Sequence, residues 1–570
     1  MVDPTQFNLP SEYDIEQFIN ESSDPYGVKK ERVRTETVRI YDTFDWRLFN
    51  NSLVLYSSAD KLHLRKLSER EILYSVPIPS VPVFVRELPS SRLKEQLAAI
   101  VGVRAILKLA EIHSRSMPFR LLDREGKTVV RLVYEEIRSS RDRKAPALAA
   151  HLWLQPVRGY SKHSQRIARK FEQAGLTVHT EDDIYFKGLK AADKTPGSYS
   201  SKLAFQLDPA MRADEAARII LRFLLRVIKV NAVHIEKDID TEFIHDFRVA
   251  VRRTRAALGQ IRSVFPAETT ERFKKDFAFV GQLTNELRDL DVCLLKETAY
   301  KAKVAPVLRK DIEPLFEYLR KKRSEAFQKV IRGLKAKRYA TILKDWEAFL
   351  DTSPQDSSAA ANAGVPAITL ARKRIFRKYK SVVKTGSSIS ESADDKMLHV
   401  LRIHCKKLRY LMEFFASLFQ PETINNLIEQ LKRLQDNLGD FNDLRVQEEY
   451  LLTVAKQLPL NRGQWVPPGR ARDTDSVPLR LRCASLRATP RRLSLPQDSI
   501  PSEDPRPEAV PRAEGSERIF LAIGSLVGAL AGDRKIVRNA FAETFADFSA
   551  PANKELFQNL FAGQTPLSEP

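Results

Sequence analysis

The chain has 570 residues, 43% of them apolar, and carries 94 Lys+Arg against 73 Asp+Glu, a formal net charge of +21. The apolar content excludes wholesale disorder, and 20 glycines exclude a collagen-like or Gly-rich chain. Three cysteines (Cys293, Cys405, Cys483), none in a C-x-x-C pair, exclude a disulfide framework and speak against a cysteine zinc site.

Residues 1–200 mix short strand patterns with two helical stretches and read as α+β. Val38–Tyr41 and Leu62–Arg65 alternate apolar and polar, the period of a half-buried strand. Phe119–Leu122 and Thr128–Val133 flank a Gly126 turn and predict a hairpin. Arg92–His113 and Lys162–Ala174 are expected to be helices. From about Pro209 the period becomes helical, beginning with Ala213–Val233, and stays so almost to the end. Ser353–Pro366 reads as a small-residue loop.

Residues 462–512 differ in kind. They hold nine of the 31 prolines, ten arginines and no lysine. That proline density prevents long helices and strands, so the stretch reads as a disordered insertion. Glu517–Phe548 resumes the amphipathic helical pattern. Its apolar run Ile519–Ala531 falls short of the ~18 residues of a membrane span, and no basic-then-apolar leader opens the chain. A cytoplasmic protein with no membrane role is expected. The charge predicts a polyanionic partner: nucleic acid, an anionic surface or a phosphate polymer.

The helical half contains an internal repeat. His245-Asp-Phe-Arg248-Val-Ala-Val-Arg252-Arg253-Thr-Arg255 and His399-Val-Leu-Arg402-Ile-His-Cys-Lys406-Lys407-Leu-Arg409 both read H-x-x-R-x-x-x-[RK]-[RK]-x-R, at a constant offset of 154 (399−245, 409−255). A second echo follows each copy: Leu283–Asp289 parallels Leu434–Asp440 at an offset of 151 (434−283). Two echoes in one order indicate a duplicated helical unit. At about 100° per residue, the first, fourth, eighth and eleventh positions fall within an arc of about 80°. His245, Arg248, Arg252 and Arg255 therefore form one stripe about 15 Å long, and His399, Arg402, Lys406 and Arg409 its twin. Phe247, Val251 and Leu258 lie on the neighbouring face, as do Leu401, Cys405, Leu408 and Met412 in the second copy. A cationic stripe beside a core-facing stripe is expected to line a groove. Like charges on one face repel, and arginine's planar fork suits phosphate oxygens. The competing reading pairs these cations with Asp289, Asp291, Asp440 or Asp443.

These motifs, with Arg288-Asp-Leu-Asp-Val292 and Leu434-Gln-Asp-Asn-Leu-Gly-Asp-Phe-Asn-Asp443, resemble the CHAD family over about 209–460 and again over 517–550. The resemblance implies an all-α domain of two pseudo-symmetric helical bundles around a basic groove that binds inorganic polyphosphate. Carried over residue by residue, the binding set is His245, Arg248, Arg252, Arg253, Arg255, His399, Arg402, Lys406, Lys407 and Arg409. The 462–512 insertion departs from the family and leaves the docking of the last helices open.

Tyr41-Asp42-Thr43-Phe44-Asp45 resembles the Y-x-D-T-x-D segment of the CYTH, or triphosphate-tunnel, family. That family implies a β tunnel in which basic residues hold a triphosphate and glutamates a divalent metal. Its E-x-E-x-K would fall at Val2, Pro4 and Gln6, none of which is an acid or a lysine. The expected reading is a degenerate CYTH-like tunnel over 1–200, with no catalytic residues, cofactor or metal. Glu31 or Glu36 would be the ligands if a metal site exists elsewhere. The chain is then a multidomain, non-catalytic polyphosphate binder, cytoplasmic and expected on polyphosphate granules. A metal-dependent inorganic triphosphatase and a nucleic-acid binder are the alternatives. Against the latter, the stripes carry no interleaved aromatics for base stacking, so nucleic acid is expected to bind only non-specifically.

Overall fold

A computed structural model describes residues 5–9, 14–68, 72–140, 147–178, 184–352, 360–390, 394–458 and 515–562. The 462–512 insertion lies outside them. The chain divides into two compact units. The first holds residues 1–284, 331–374 and 410–421; the second holds 285–330, 375–409 and 422–570.

The first unit begins with a ten-stranded antiparallel sheet. Its strands are β1 (Thr5–Asn8), β2 (Gly27–Lys30), β3 (Arg34–Asp42), β4 (Leu53–Ser58), β5 (Lys61–Lys66), β6 (Ile72–Pro77), β7 (Leu107–Leu122), β8 (Thr128–Arg138), β9 (Ala147–Pro156) and β10 (Thr177–Val178). The order is β10-β1-β9-β8-β7-β3-β4-β5-β6, with β2 also on β7. Such a sheet is consistent with a tunnel-like domain. No pairing joins β6 to β10 among the described residues.

Four helices cover the sheet: α1 (Ile15–Ser22), α2 (Arg92–Val101), α3 (Ser161–Gln173) and α4 (Ile184–Ala191). Alternation along each strand sends successive side chains to opposite faces. Phe7, Phe119 and Leu152 bury against Phe18 of α1 and Phe171 of α3. Leu55 and Leu64 bury against Leu93 and Leu97 of α2. Ile40 and Ala110 pack with Tyr185 and Leu189 of α4. Gly188 lets α4 close on the sheet: a Cβ there would lie 3.0 Å from Ile112.

One expectation fails. The helix begun at Arg92 ends at Val101, and 107–113 belongs to β7. Gly102, at φ +60°, breaks the helix, and pairing with β3 makes 107–113 a strand, with β8 joining on the other side only from His113.

The rest of the chain is helical: α5 (Ala213–Ile235), α6 (Glu242–Gln260), α7 (Ala267–Leu283), α8 (Asn285–Leu295), α9 (Glu297–Lys303), α10 (Glu313–Lys335), α11 (Lys337–Asp351), α12 (Ala367–Ser387), α13 (Asp395–Phe414), α14 (Pro421–Gln457), α15 (Gly515–Asn539), α16 (Phe541–Ser549) and α17 (Pro551–Phe561). In the first unit, Trp346 of α11 is fully buried against Phe273 and Phe277 of α7. In the second, the last three helices dock through specific contacts. Arg534 pairs with Glu448 at 2.9 Å, and Arg538 with Asp395 at 3.0 Å. Phe557 stacks on Tyr379 with centroids 3.9 Å apart. Phe545 lies so close over Gly386 of α12 that a Cβ there would sit 1.9 Å from its ring. A glycine at this helical position is explained by that approach.

Candidate functional site

The first stripe lies on α6. Phe243, Phe247, Val251 and Leu258 bury one face of the helix, and this fixes its rotation. His245 and Arg248 are half-buried, while Arg252 and Arg255 are exposed. Arg248 Nη1 donates to Thr284 Oγ1 at 3.3 Å. Arg252 and Arg255 form no hydrogen bond or ion pair among the described residues. Both face solvent within one turn of each other, Arg252 one turn and Arg255 two turns from Arg248, so their charges add at one patch of surface.

Arg253 is placed differently. It lies about 100° round the helix from Arg252. Its Nη2 donates to Glu413 Oε2 at 2.6 Å and its Nη1 to Ser201 O at 3.4 Å. Its guanidinium sits 6.0 Å from the Tyr410 ring centroid. The pair is mostly buried, at 14% and 20% exposure. Arg253→Met is therefore expected to destabilise the protein by about 2–3 kcal/mol, because Glu413 loses its partner. Denaturant titration checks the size of the loss. An unchanged midpoint would show that Arg253 is free for other duties.

The second stripe lies on α13, where Leu398, Leu401, Cys405 and Leu408 bury the neighbouring face. His399, Arg402, Lys406, Lys407 and Arg409 are all half-buried. His399 Nδ1 and Asn442 Oδ1 are 3.2 Å apart. Arg402 Nη2 reaches Asp443 Oδ1 at 3.3 Å, a carboxylate still 57% exposed. Lys407 makes no ion pair among the described residues, and its effect is felt by a neighbour. Burial first, then Lys378 and Lys407, hold His404 below the usual imidazole range. Lys407 belongs to the repeat, whereas Lys378 and Thr385, whose Oγ1 lies 3.2 Å from His404, come from α12.

The second echo has a structural role in both copies. Thr284, fully buried, accepts from Arg248. Its counterpart Gln435 donates to Cys405 O at 2.7 Å. In each copy the echo anchors the stripe helix, and in the second α14 adds Asn442 and Asp443. Of the acids named as competing partners, Asp443 receives Arg402 and Asp291 receives Arg323, at 2.8 Å. Asp440 is held above the usual carboxylate range, first by burial and then by Asp436 and Asp443.

In the sheet domain Asp42 of the Tyr41–Asp45 motif is spent on its own turn. Asp42 accepts the backbone N–H of Thr43, Leu48 and Phe49, at 2.6, 2.9 and 2.9 Å. Burial nevertheless pushes its carboxyl up to about 6. The residues do not fit a divalent metal. Gln6 is buried on β1 with no hydrogen-bond partner for its amide, where the E-x-E-x-K pattern has its lysine. Val2 and Pro4 lie outside the described residues. Glu31 pairs with Arg120 at 2.8 Å. Glu36 is exposed and lines a 720 Å³ cavity with Arg34, Arg39, Tyr41, Ser57 and Asp60. No three His, Cys, Asp or Glu side chains are grouped to hold a metal among the described residues. No helix among the described residues is long and apolar enough to cross a membrane.

Residues 219–452, which contain both stripes, match the CHAD domain family model. Behind the N-terminal antiparallel sheet domain, this helical stretch is therefore similar to a CHAD domain. Uncharacterised proteins of two Mycobacterium tuberculosis strains are 22% identical over 297 residues, which is 52% of this chain and 54% of theirs. The chain thus spans about half the length of the curated relatives it matches. Among solved structures, the CHAD domain of the plant Ricinus communis is 25% identical, with a TM-score of 0.40 over 45% of this chain and 84% of its own. PptA from Streptomyces chartreusis is 14% identical, with a TM-score of 0.38 over 59% of this chain and 99% of its own.

Proposed function

We propose that the protein binds inorganic polyphosphate without cleaving it, through the stripes of α6 and α13. The observation that carries this reading is the exposed pair Arg252 and Arg255. Neither pairs among the described residues, and both continue the line of His245 and Arg248 on a CHAD-domain helix. His245, Arg248, Arg252 and Arg255 would contact phosphate from α6, and His399, Arg402, Lys406, Lys407 and Arg409 from α13. Arg253 would act by holding α6 in place through Glu413. Phosphate oxygens meet arginine forks in charge-assisted hydrogen bonds, and each phosphate so neutralised releases counterions. Titration with long-chain polyphosphate at rising salt tests this: affinity is expected to fall steeply, and a salt-independent affinity would oppose it.

A second reading, inorganic triphosphatase activity, draws on the polar cavity beside Arg34, Glu36 and Arg39. It is the weaker reading, because phosphoryl transfer needs positioned charges that Gln6 does not supply. No phosphate release from tripolyphosphate is expected with Mg²⁺ or Mn²⁺. Release that disappears in Glu36→Gln would overturn the non-catalytic assignment.

A further inference from the structure

The Tyr41–Asp45 turn reaches out of the sheet domain and grips the start of α6, within the first unit. Thr43 Oγ1 donates to Asp45 Oδ1 at 2.8 Å and accepts Arg47 N at 2.9 Å. Trp46, at φ +58°, reverses the chain. The turn thereby projects Phe44 and Asp45 outward. Phe44 packs among Tyr199, His234 and Phe243, with centroids 4.8, 4.3 and 5.0 Å away. Beside it Arg104, at 0% exposure, sits among three carboxylates. It meets Asp45 at 3.5 Å, Asp240 at 3.1 Å and Asp246 at 2.7 Å. Ala105 N also donates to Asp240, at 3.0 Å, and Arg47 reaches Glu242 at 3.2 Å.

The placement of these partners matters. Asp240 precedes the first turn of α6, and Asp246 directly follows His245. We infer that Arg104, with Phe44, is a positioning residue for the first stripe: it fixes the entry and rotation of α6, so that the sheet domain sets how His245, Arg248, Arg252 and Arg255 are presented. The inference rests on the polyphosphate reading of that stripe and adds the regulation of the site by the sheet domain.

The energetics favour a specific clasp over incidental contact. A buried guanidinium is tolerated only where carboxylates compensate it. Burial acts to lower the Arg104 pKa, but Asp240, Asp45 and Asp246 outweigh it and hold the charge. Burial holds Asp246 above the usual carboxylate range despite Arg104, so this carboxylate depends on its cation. No sequence signal linked these groups, since Asp45 and Asp246 stand 201 residues apart (246−45).

Hydrogen exchange and polyphosphate titration on the full chain test the clasp, using Arg104→Gln, Arg104→Lys and Phe44→Ala. Arg104→Gln and Phe44→Ala are expected to speed exchange across 242–260 by at least about tenfold, with 395–414 unchanged. Long-chain affinity is expected to fall by at least about fivefold in variants that still melt cooperatively, and Arg104→Lys to recover part of both. Unchanged exchange in 242–260 overturns the inference. So does unfolding of the whole chain in both Arg104→Gln and Phe44→Ala, which would make the contact a general stabiliser. Arg252→Glu/Arg255→Glu separates the two claims. If it leaves binding intact, the polyphosphate reading fails, and exchange still decides the clasp.

Discussion

Reversing Arg252 and Arg255 to Glu is expected to lower long-chain polyphosphate affinity by at least about a hundredfold, with little change in melting temperature. Charge-assisted contacts are worth roughly 1.5–3 kcal/mol each, and about 1.4 kcal/mol is a factor of ten. Two lost contacts therefore suffice, before the repulsion of two new carboxylates is added. The fold should not suffer, because both side chains are exposed and neither pairs among the described residues. Calorimetric titration and a thermal melt on one preparation check both halves. A folded variant with wild-type affinity would remove the first stripe from the site.

Reversing Arg402 and Lys406 to Glu should have a mixed outcome. Arg402 is only 16% exposed and reaches Asp443, so a glutamate there faces an existing carboxylate. A stability loss of about 1–3 kcal/mol is expected, alongside a drop in long-chain affinity of at least about tenfold. Chain length should separate the stripes. A long polymer carries enough phosphates to engage each stripe, so it is expected to feel either double reversal. A short phosphate chain, filling a single stripe, should be sensitive mainly to one of the two pairs. A variant that unfolds before it loses affinity would instead make Arg402 and Lys406 internal partners of Asp443 and its neighbours.

The stripes were legible because helical spacing is local. Once His245, Arg248, Arg252 and Arg255 fall within one arc, a single helix places them together, whatever surrounds it. The repeat offset aligned Leu283–Asp289 with Leu434–Asp440, but gave no sign that Thr284 and Gln435 within them would each brace a stripe helix. What the sequence hid depends on distant partners. Arg253 stands in the motif beside Arg252, yet Glu413 and Ser201 draw it inward. Residues 107–113 carry a helix-compatible pattern, and only pairing with β3 makes them a strand. The Tyr41–Asp45 motif was recognised by its letters. Its work here, capping a turn and carrying Phe44 and Asp45 onto α6, follows from neighbours up to about 200 positions away. Arg104, the most deeply buried cation, gave no signal at all.

The most direct test of the central claim is a competition at matched phosphate concentration and salt among long-chain polyphosphate, duplex DNA and tripolyphosphate. Two cationic stripes without interleaved aromatics should favour a flexible phosphate chain over a stacked duplex. The expected order is long-chain polyphosphate first, with tripolyphosphate weaker and duplex DNA displaced as salt rises. Duplex DNA binding as tightly as polyphosphate, or more tightly, would contradict the account.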